Sequence, residues 1–156
     1  MARILVQTED FDIGAEIAAL TAGRPDIGGI GCFIGTVRNH ASGHAEQVTG
    51  MTLEHYPGMT ERAIARIVAE AEARWPLKGV TVIHRVGPLR TGDNIVLVIA
   101  ASAHRQAALD ATSFLIDWLK TKAPFWKRED LAGGAGAWVD AREEDDTAAA
   151  RWGNSA

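Results

Sequence analysis

Cysteine is almost missing from this 156-residue chain, and Cys32 is the only one. A lone cysteine excludes an internal disulfide, a CxxC redox pair and a cysteine-rich zinc site. Long apolar runs are missing too. No window approaches the roughly eighteen consecutive apolar residues that a membrane-spanning helix needs. Excess positive charge is also absent: 16 Lys plus Arg stand against 20 Asp plus Glu, a net charge of −4. No global basic field exists to hold nucleic acid or an anionic membrane. The opening MARILVQTEDFD has acids where a signal peptide would be apolar, so a cytoplasmic location is expected. GxxxxGK[ST], GxSxG, HExxH and GxGxxG do not occur, which removes the motif-borne phosphate-loop, esterase, zincin and dinucleotide readings.

The composition itself is that of a folded protein. With 47% hydrophobic and 23% charged residues, disorder is disfavoured. The length suits a single domain over 1–156, with a C-terminal tail from about residue 143. RILVQ (3–7) reads as a short strand, and Asp12 as the N-cap of a helix carrying Ile13, Ile17 and Leu20. GGIGCFIGTV (28–37) reads as a buried strand, with Cys32 in the core. A polar loop then leads into VTGMTLEHY. Residues 59–75 form an amphipathic helix with Ile64, Ile67, Val68, Ala71 and Trp75 on one face.

VTVIHRV (80–86) alternates as a half-buried strand, PLRTGDN makes a turn, and IVLVIAAS (95–102) is a fully apolar strand. Ser102 is placed to cap a long helix over 103–122 that Pro124 ends. FWKRE is extended, a glycine-rich loop spans 133–136, and AWVDA is a last strand before a short alanine-rich helix. A short turn between the 80–86 and 95–102 strands makes them an antiparallel hairpin. The expected class is α+β, with a mostly antiparallel or mixed sheet and two long amphipathic helices.

The acidity is concentrated. DAREEDD (140–146) holds five acids and one arginine, a local charge equal to the whole-chain −4. Elsewhere charges balance, and cationic clusters can form. The densest is WLKTKAPFWKR, where Lys120, Lys122, Lys127 and Arg128 have no acid between them. Lys120 and Lys122 could simply complement the negative end of their helix. Pro124, however, sends the chain back so that Lys127 returns near Lys120, with Phe125 and Trp126 as apolar walls. Two ammonium groups in such a pocket lower each other's pKa, which suits a lysine base or nucleophile.

Two further segments suit anion binding. In AASAHRQAA, His104 and Arg105 fall in the first turn of the long helix, where free N–H groups favour anions; a solvated helix start is the plain alternative. In FIGTVRNH, Arg38 ends an apolar, glycine-containing strand and opens a polar loop; an arginine at a strand end is often just a surface residue, which is the plain alternative here. His40 and His44 flank Ser42-Gly43, which argues against a metal-binding helix, and His55 and His84 sit in strand patterns that read as structural. These features describe a binder of a small anionic, phosphorylated and partly aromatic molecule.

The strings FIGTVRNH, MTLEHYPGMTE, RWPL, VTVIHRVG, SAHR and LKTKAPFWKRE, in that order from about Gly28 to Trp152, resemble the large, catalytic subunit of molybdopterin synthase. The resemblance implies a hammerhead-type α+β fold and a homodimer. A small ubiquitin-like sulfur-carrier subunit docks at each end, making a heterotetramer. The carrier's C-terminal Gly-Gly thiocarboxylate would enter the active site. Two sulfurs pass to cyclic pyranopterin monophosphate, forming the dithiolene of molybdopterin in molybdenum cofactor biosynthesis. No cofactor and no metal is implied.

By motif, the resemblance makes Lys120 and Lys127 catalytic. It assigns Thr36, Val37, Arg38, His104, Arg105, Arg128 and Glu129 to substrate binding, and brings Arg142 toward the same pocket. Thr36 stands where some relatives have lysine, so a contact there would run through the backbone. Competing classes are a non-catalytic anion-binding adaptor of the same fold and a cyclic-phosphate hydrolase. Arg105 and Lys120 are fifteen residues apart on one helix, roughly 22 Å at 1.5 Å per residue, so the site is expected to combine residues of both protomers. With no second cysteine to relay a persulfide, the sulfur must arrive already activated on another protein.

Overall fold

The computed structural model describes residues 2–39, 47–132, 136–139 and 143–153. In chain order the elements are β1 (Ala2–Gln7), α1 (Ile13–Thr21), β2 (Gly29–Thr36), β3 (Val48–His55), α2 (Met59–Arg74) and β4 (Leu77–Arg85). They continue with β5 (Gly87–Arg90), β6 (Asn94–Ser102), α3 (Arg105–Thr121), β7 (Phe125–Leu131), β8 (Gly136–Val139) and α4 (Glu143–Ala150). One sheet has the order β1-β4-β6-β2 and the other β5-β3-β7-β8. Among the described residues only β1 and β4 pair in parallel, and every other pairing is antiparallel. The α+β class with a mixed sheet and two long amphipathic helices is therefore as expected.

The apolar pattern of the first sheet explains its coverage. Val80 and Val82 of β4, with Val96 and Val98 of β6, meet Ile64, Ile67 and Val68 of α2 and Phe114, Leu115 and Trp118 of α3. Ile83, Leu97 and Ile99 face the other way, under Ile13, Ile17 and Leu20 of α1. A strand covered on both faces has no reason to alternate, which is why IVLVIAAS is apolar throughout. Each such side chain, fully buried, contributes on the order of 1.5–3 kcal/mol. The Asp12 carboxylate caps α1 by accepting the Ala15 N–H at 2.9 Å. Arg151 and Trp152, just past α4, bind Asp117 of α3 at 3.1 and 2.8 Å, and the Trp152 ring sits edge-on to Trp75 and Phe114.

Three expectations are corrected. Cys32 is exposed rather than core. On edge strand β2, Ile30, Cys32 and Ile34 share a face with Ile99 and Leu97 but lie beyond the cover of α1, and Ile30 and Ile34 are 41% and 37% exposed. The apolar string was that of a doubly covered strand, and only its place at the sheet edge leaves one face bare. The turn expected over PLRTGDN begins as a strand, because Pro88 and Leu89 pair with Thr52 and Met51 of β3 and Leu89 is buried. Ser102 does not cap α3. It ends β6 and donates its hydroxyl to the Pro76 carbonyl at 2.8 Å, leaving His104 as N-cap with no side-chain hydrogen bond.

Among the described residues no helix is long and apolar enough to cross a membrane, and no cluster of His, Cys, Asp and Glu could hold a metal ion.

Candidate active site

The reversal between α3 and β7 builds the centre of the site. Lys122 closes α3 with its N–H on the Trp118 carbonyl at 2.8 Å, and the Phe125 N–H returns to the Ala123 carbonyl at 2.8 Å. Thr60, fully buried at the start of α2, donates its hydroxyl to the Pro124 carbonyl and accepts the Tyr56 N–H, both at 3.1 Å. The turn is thus pinned to a second helix. Strand alternation then places Phe125, Lys127 and Glu129 on one face of β7, opposite His55, Leu53 and Met51 of β3. Trp126 takes the other face, 38% exposed, with its ring 4.3 Å from that of Tyr56 in an edge-on contact. Phe125 is therefore an apolar wall beside Lys127, while Trp126 is not, because successive strand residues point to opposite sides.

His84 lies under this turn. It continues the Val80–Val82 face of β4 inward and is 7% exposed. Its ring stacks on Phe125, 3.8 Å between centroids and 17° from parallel. Nδ1 lies 2.8 Å from the Arg85 carbonyl, which accepts only, so Nδ1 carries the hydrogen and Nε2 the lone pair. Burial pushes the imidazole pKa down to about 4, against the opposing pull of that hydrogen bond, and the Lys120 ammonium and His55 push the same way. His84 is neutral at physiological pH. Lys120 is exposed at the end of α3, and β7, which carries the half-buried Lys127, contributes Phe125 to the His84 stack. His55 completes the group, 6.5 Å from Phe125 between ring centroids and with Nε2 4.0 Å from a Glu61 carboxylate oxygen.

Glu129 is 5% exposed, and its Oε1 has no hydrogen-bond partner among the described residues. A buried carboxylate oxygen left without a donor is costly, and a bound ligand bearing an N–H or O–H group would satisfy it. Arg128 points away from Glu129, its guanidinium lying over Gly136 where a side chain on that residue would collide. Val37 is 2% exposed, and its N–H and carbonyl are occupied by Asp93 and Gly92 at 2.9 and 2.7 Å. Its role is to anchor the exposed Thr36 and Arg38 on either side. The Asn39 carbonyl accepts the Val48 N–H at 2.9 Å, which ties the Arg38 segment to the start of β3.

His104 and Arg105 are elsewhere. Gly29 at the start of β2 packs on the Arg105 backbone and Gly31 on Ala108, so α3 and β2 run side by side in the same direction. Arg38 and Lys120 lie toward one end of this unit and His104 and Arg105 at the other, roughly 22 Å apart by helix rise. One chain does not bring the two groups together. Arg142, His40 and His44 lie outside the described residues.

Reasoning from sequence passed over His84 and His55 as structural. The signal was present in VTVIHRV, where alternation puts His84 on the same face as Val80 and Val82, an unusual depth for an unpaired histidine.

A family model described as MoaE protein matches residues 6–122. The chain belongs to the MoaE family. Among MoaE relatives, a protein of Ralstonia nicotianae named molybdopterin synthase catalytic subunit is 58% identical over 98% of this chain and 85% of its own length. One of the same name from Mesorhizobium japonicum is 54% identical over 97% of this chain and 94% of its own. The solved structure of the molybdopterin biosynthesis MoaE protein from Burkholderia ambifaria MC40-6 superposes with a TM-score of 0.82 at 51% identity, covering 99% of this chain and all of that one. The mixed α+β architecture described above is that of the MoaE family.

Proposed function

We propose that this chain is the catalytic, sulfur-transferring subunit of a molybdopterin synthase, acting on cyclic pyranopterin monophosphate with sulfur delivered as the C-terminal thiocarboxylate of a small ubiquitin-like carrier. The observation that carries the reading is the β7 face of Phe125, Lys127 and the buried Glu129, stacked through Phe125 on the buried His84 and entered by the turn that follows Lys120 at the end of α3. That arrangement combines cations, an aromatic floor and an unsatisfied carboxylate oxygen, which suits a small anionic heterocycle. The name borne by the relatives, catalytic subunit, itself implies a second subunit.

The roles follow from chemistry. Arg38, His104 and Arg105 hold the phosphate and stabilise the charge that develops as the cyclic ester opens. Thr36 and Val37 fix the segment that presents Arg38, and Arg128 borders the pocket. Glu129 accepts hydrogen bonds from the heterocycle through Oε1, and Lys127 orients the thiocarboxylate against it. At one substrate carbon the thiocarboxylate sulfur displaces the phosphate oxygen, which opens the cyclic ester. At the neighbouring carbon a second thiocarboxylate displaces oxygen lost as water. Each acyl–sulfur bond then breaks to leave its sulfur on the substrate. The acyl carbon is taken either by water, with Lys120 accepting its proton, or by the Lys120 amine in a transient amide. A Lys120–carrier adduct trapped under single turnover marks the second route, and its absence marks the first.

Because His104 and Arg105 stand so far from Lys120, the reading requires a homodimer in which each site takes them from the other protomer. The bare Ile30–Cys32–Ile34 face and the 56% exposed Leu109, one helical turn from Arg105, support a second copy covering this end. Two carriers then make a heterotetramer. The reading places the reaction in the cytoplasm, whose reducing poise keeps a thiocarboxylate and a lone thiol intact.

Incubation of cyclic pyranopterin monophosphate with the chain, with and without thiocarboxylated carrier, tests the proposal. Dithiolene product is expected only with the carrier. Ring opening of the phosphate without it would point to a hydrolase, and binding with no turnover in either arm to an adaptor.

A further inference from the structure

The end of the chain is tied down more firmly than its own composition provides for. α4 has eight residues, four of them acidic and three alanine, so it has neither the length nor an apolar stripe to hold itself. What holds it comes just after it. The Arg151 guanidinium and the Trp152 indole N–H donate to the same Asp117 oxygen, at 3.1 and 2.8 Å, and Arg151 also donates to the Ser113 hydroxyl. The Trp152 ring stands edge-on to Trp75 and Phe114, 5.6 Å from each, and those two rings meet at 5.4 Å. Arg74 lies over Phe114 and Arg151 over Trp152, each 4.6 Å from the ring centroid.

The clamp grips α3 close to the site. Ser113, Asp117 and Lys120 recur at spacings of four and three, so they lie along one face of the helix, with Asp117 one turn before the lysine. Across the second sheet, β8 pairs with β7 with Val139 opposite Lys127 and Ala137 opposite Glu129, and among the described residues it has no other partner strand. The chain thus runs from Lys120 through the turn, out along β7, back along β8 and through α4, and the clamp returns it to α3 one turn from where it left. Both lysines and Glu129 lie on that closed ring. We infer that Asp117, Arg151 and Trp152 are positioning residues: by tying α4 to α3 they keep β8 on β7, and so hold Lys127 and Glu129 in place against the end of α3. Without the clamp, β8 is a four-residue edge strand held by its pairing with β7 alone, and such short edges open readily. The inference rests on the proposed function for its kinetic consequence, and on the contacts alone for the hold on β8.

The test uses Asp117→Leu, which removes the shared acceptor, and Asp117→Asn, whose amide oxygen can take both hydrogen bonds without the charge. Trp152→Ala removes the aromatic part of the clamp from the other side. Amide hydrogen exchange of the full chain, read by mass spectrometry, needs no turnover. In Asp117→Leu and Trp152→Ala, peptides over 125–131 and 136–139 should exchange at least about 10-fold faster, while those of β4 and β6 keep the wild-type rate. With thiocarboxylated carrier, kcat should fall by about 10-fold, toward the roughly 100-fold that a remote 1 Å misplacement can cost, with substrate KM nearly unchanged. Asp117→Asn should recover most of both effects.

If the variants fold poorly, the wild type decides by itself. Exchange followed through low concentrations of urea should show the α4 and β8 amides opening together as one unit, and separate opening of the two overturns the inference. Unmoved exchange over 125–131 and 136–139 in the folded variants overturns it as well. So does faster exchange there with kcat unchanged, because the clamp is then an anchor for the C-terminus with no hold on the lysines. Failure of the wild type to transfer sulfur would sink the proposed function, yet the exchange arms would still decide whether the clamp holds β8.

Discussion

Mixing two inactive variants gives the sharpest check on a site shared between protomers. Arg105 opens α3 and Lys120 lies fifteen residues on, roughly 22 Å along the axis at 1.5 Å per residue. Both Cα–Cβ bonds tilt toward the helix N-terminus, so side-chain reach does not close the gap. Lys120→Ala and Arg105→Ala chains, each nearly inactive alone, are co-refolded in equal amounts. Half the dimers are then mixed, and in each of these one site has lost both groups while the other has kept both. Activity should return to about a quarter of wild type in a two-fold dimer with exchanged residues. A second arm mixes wild type with the Lys120→Ala/Arg105→Ala double variant. Only wild-type homodimers then keep intact sites, so about a quarter of the activity is expected, against about half for a site within one chain. Product formation with saturating thiocarboxylated carrier reads both arms. No recovery in the first and half activity in the second would refute the shared site.

Other consequences are simpler to measure. An added methyl on Gly31 would meet the Ala108 carbonyl oxygen of α3 at 2.5 Å, so Gly31→Ala should destabilise by about 1–3 kcal/mol, lowering Tm by about 3–10 °C in scanning fluorimetry. An unchanged Tm would mean that α3 does not press on β2 as described. His84 has a folded-state pKa of about 4, below the 6.5 of an unfolded histidine, so the unfolded chain takes up the proton first and stability falls as pH drops through that window. At about 1.4 kcal/mol per unit, the loss reaches up to about 3 kcal/mol. His84→Phe should therefore show a shallower decline between pH 6.5 and 4 in urea denaturation than wild type, and parallel curves would contradict the burial of a neutral ring. Partial desolvation pushes the exposed Cys32 thiol up, making it a poor nucleophile. Cys32→Ser should leave sulfur transfer unchanged, whereas maleimide coupling at Cys32 should block dimer formation in size-exclusion chromatography. A Cys32→Ser chain without activity would mean that the sulfur passes through this protein.

Much of the architecture was legible because local pattern and final burial agree. The 59–75 periodicity, the apolar 95–102 string and the Asp12 cap each carry their own physical signal, and the elements formed where those signals stood. The lysine turn was legible for a similar reason, since Pro124 forces a reversal wherever α3 packs. What the pattern could not carry was which apolar face would be covered. Residues 28–37 look like an interior strand, but position in a sheet is set by pairing with distant β6 and not by composition. The β5 segment was misread likewise, because Pro88 signals a turn and only the β3 partner makes it an edge strand.

By itself, then, the sequence determined most of the element types, the single thiol, and the residues able to bind an anion. Only the tertiary structure decided which of them meet. It stacked the buried His84 on Phe125, left Glu129 Oε1 without a donor, and separated His104 and Arg105 from Lys120 by the length of α3. The physical reason is that reactivity depends on distances between residues remote in sequence. Those distances are fixed by packing α2 and α3 against two sheets, and no local stretch of chain contains them.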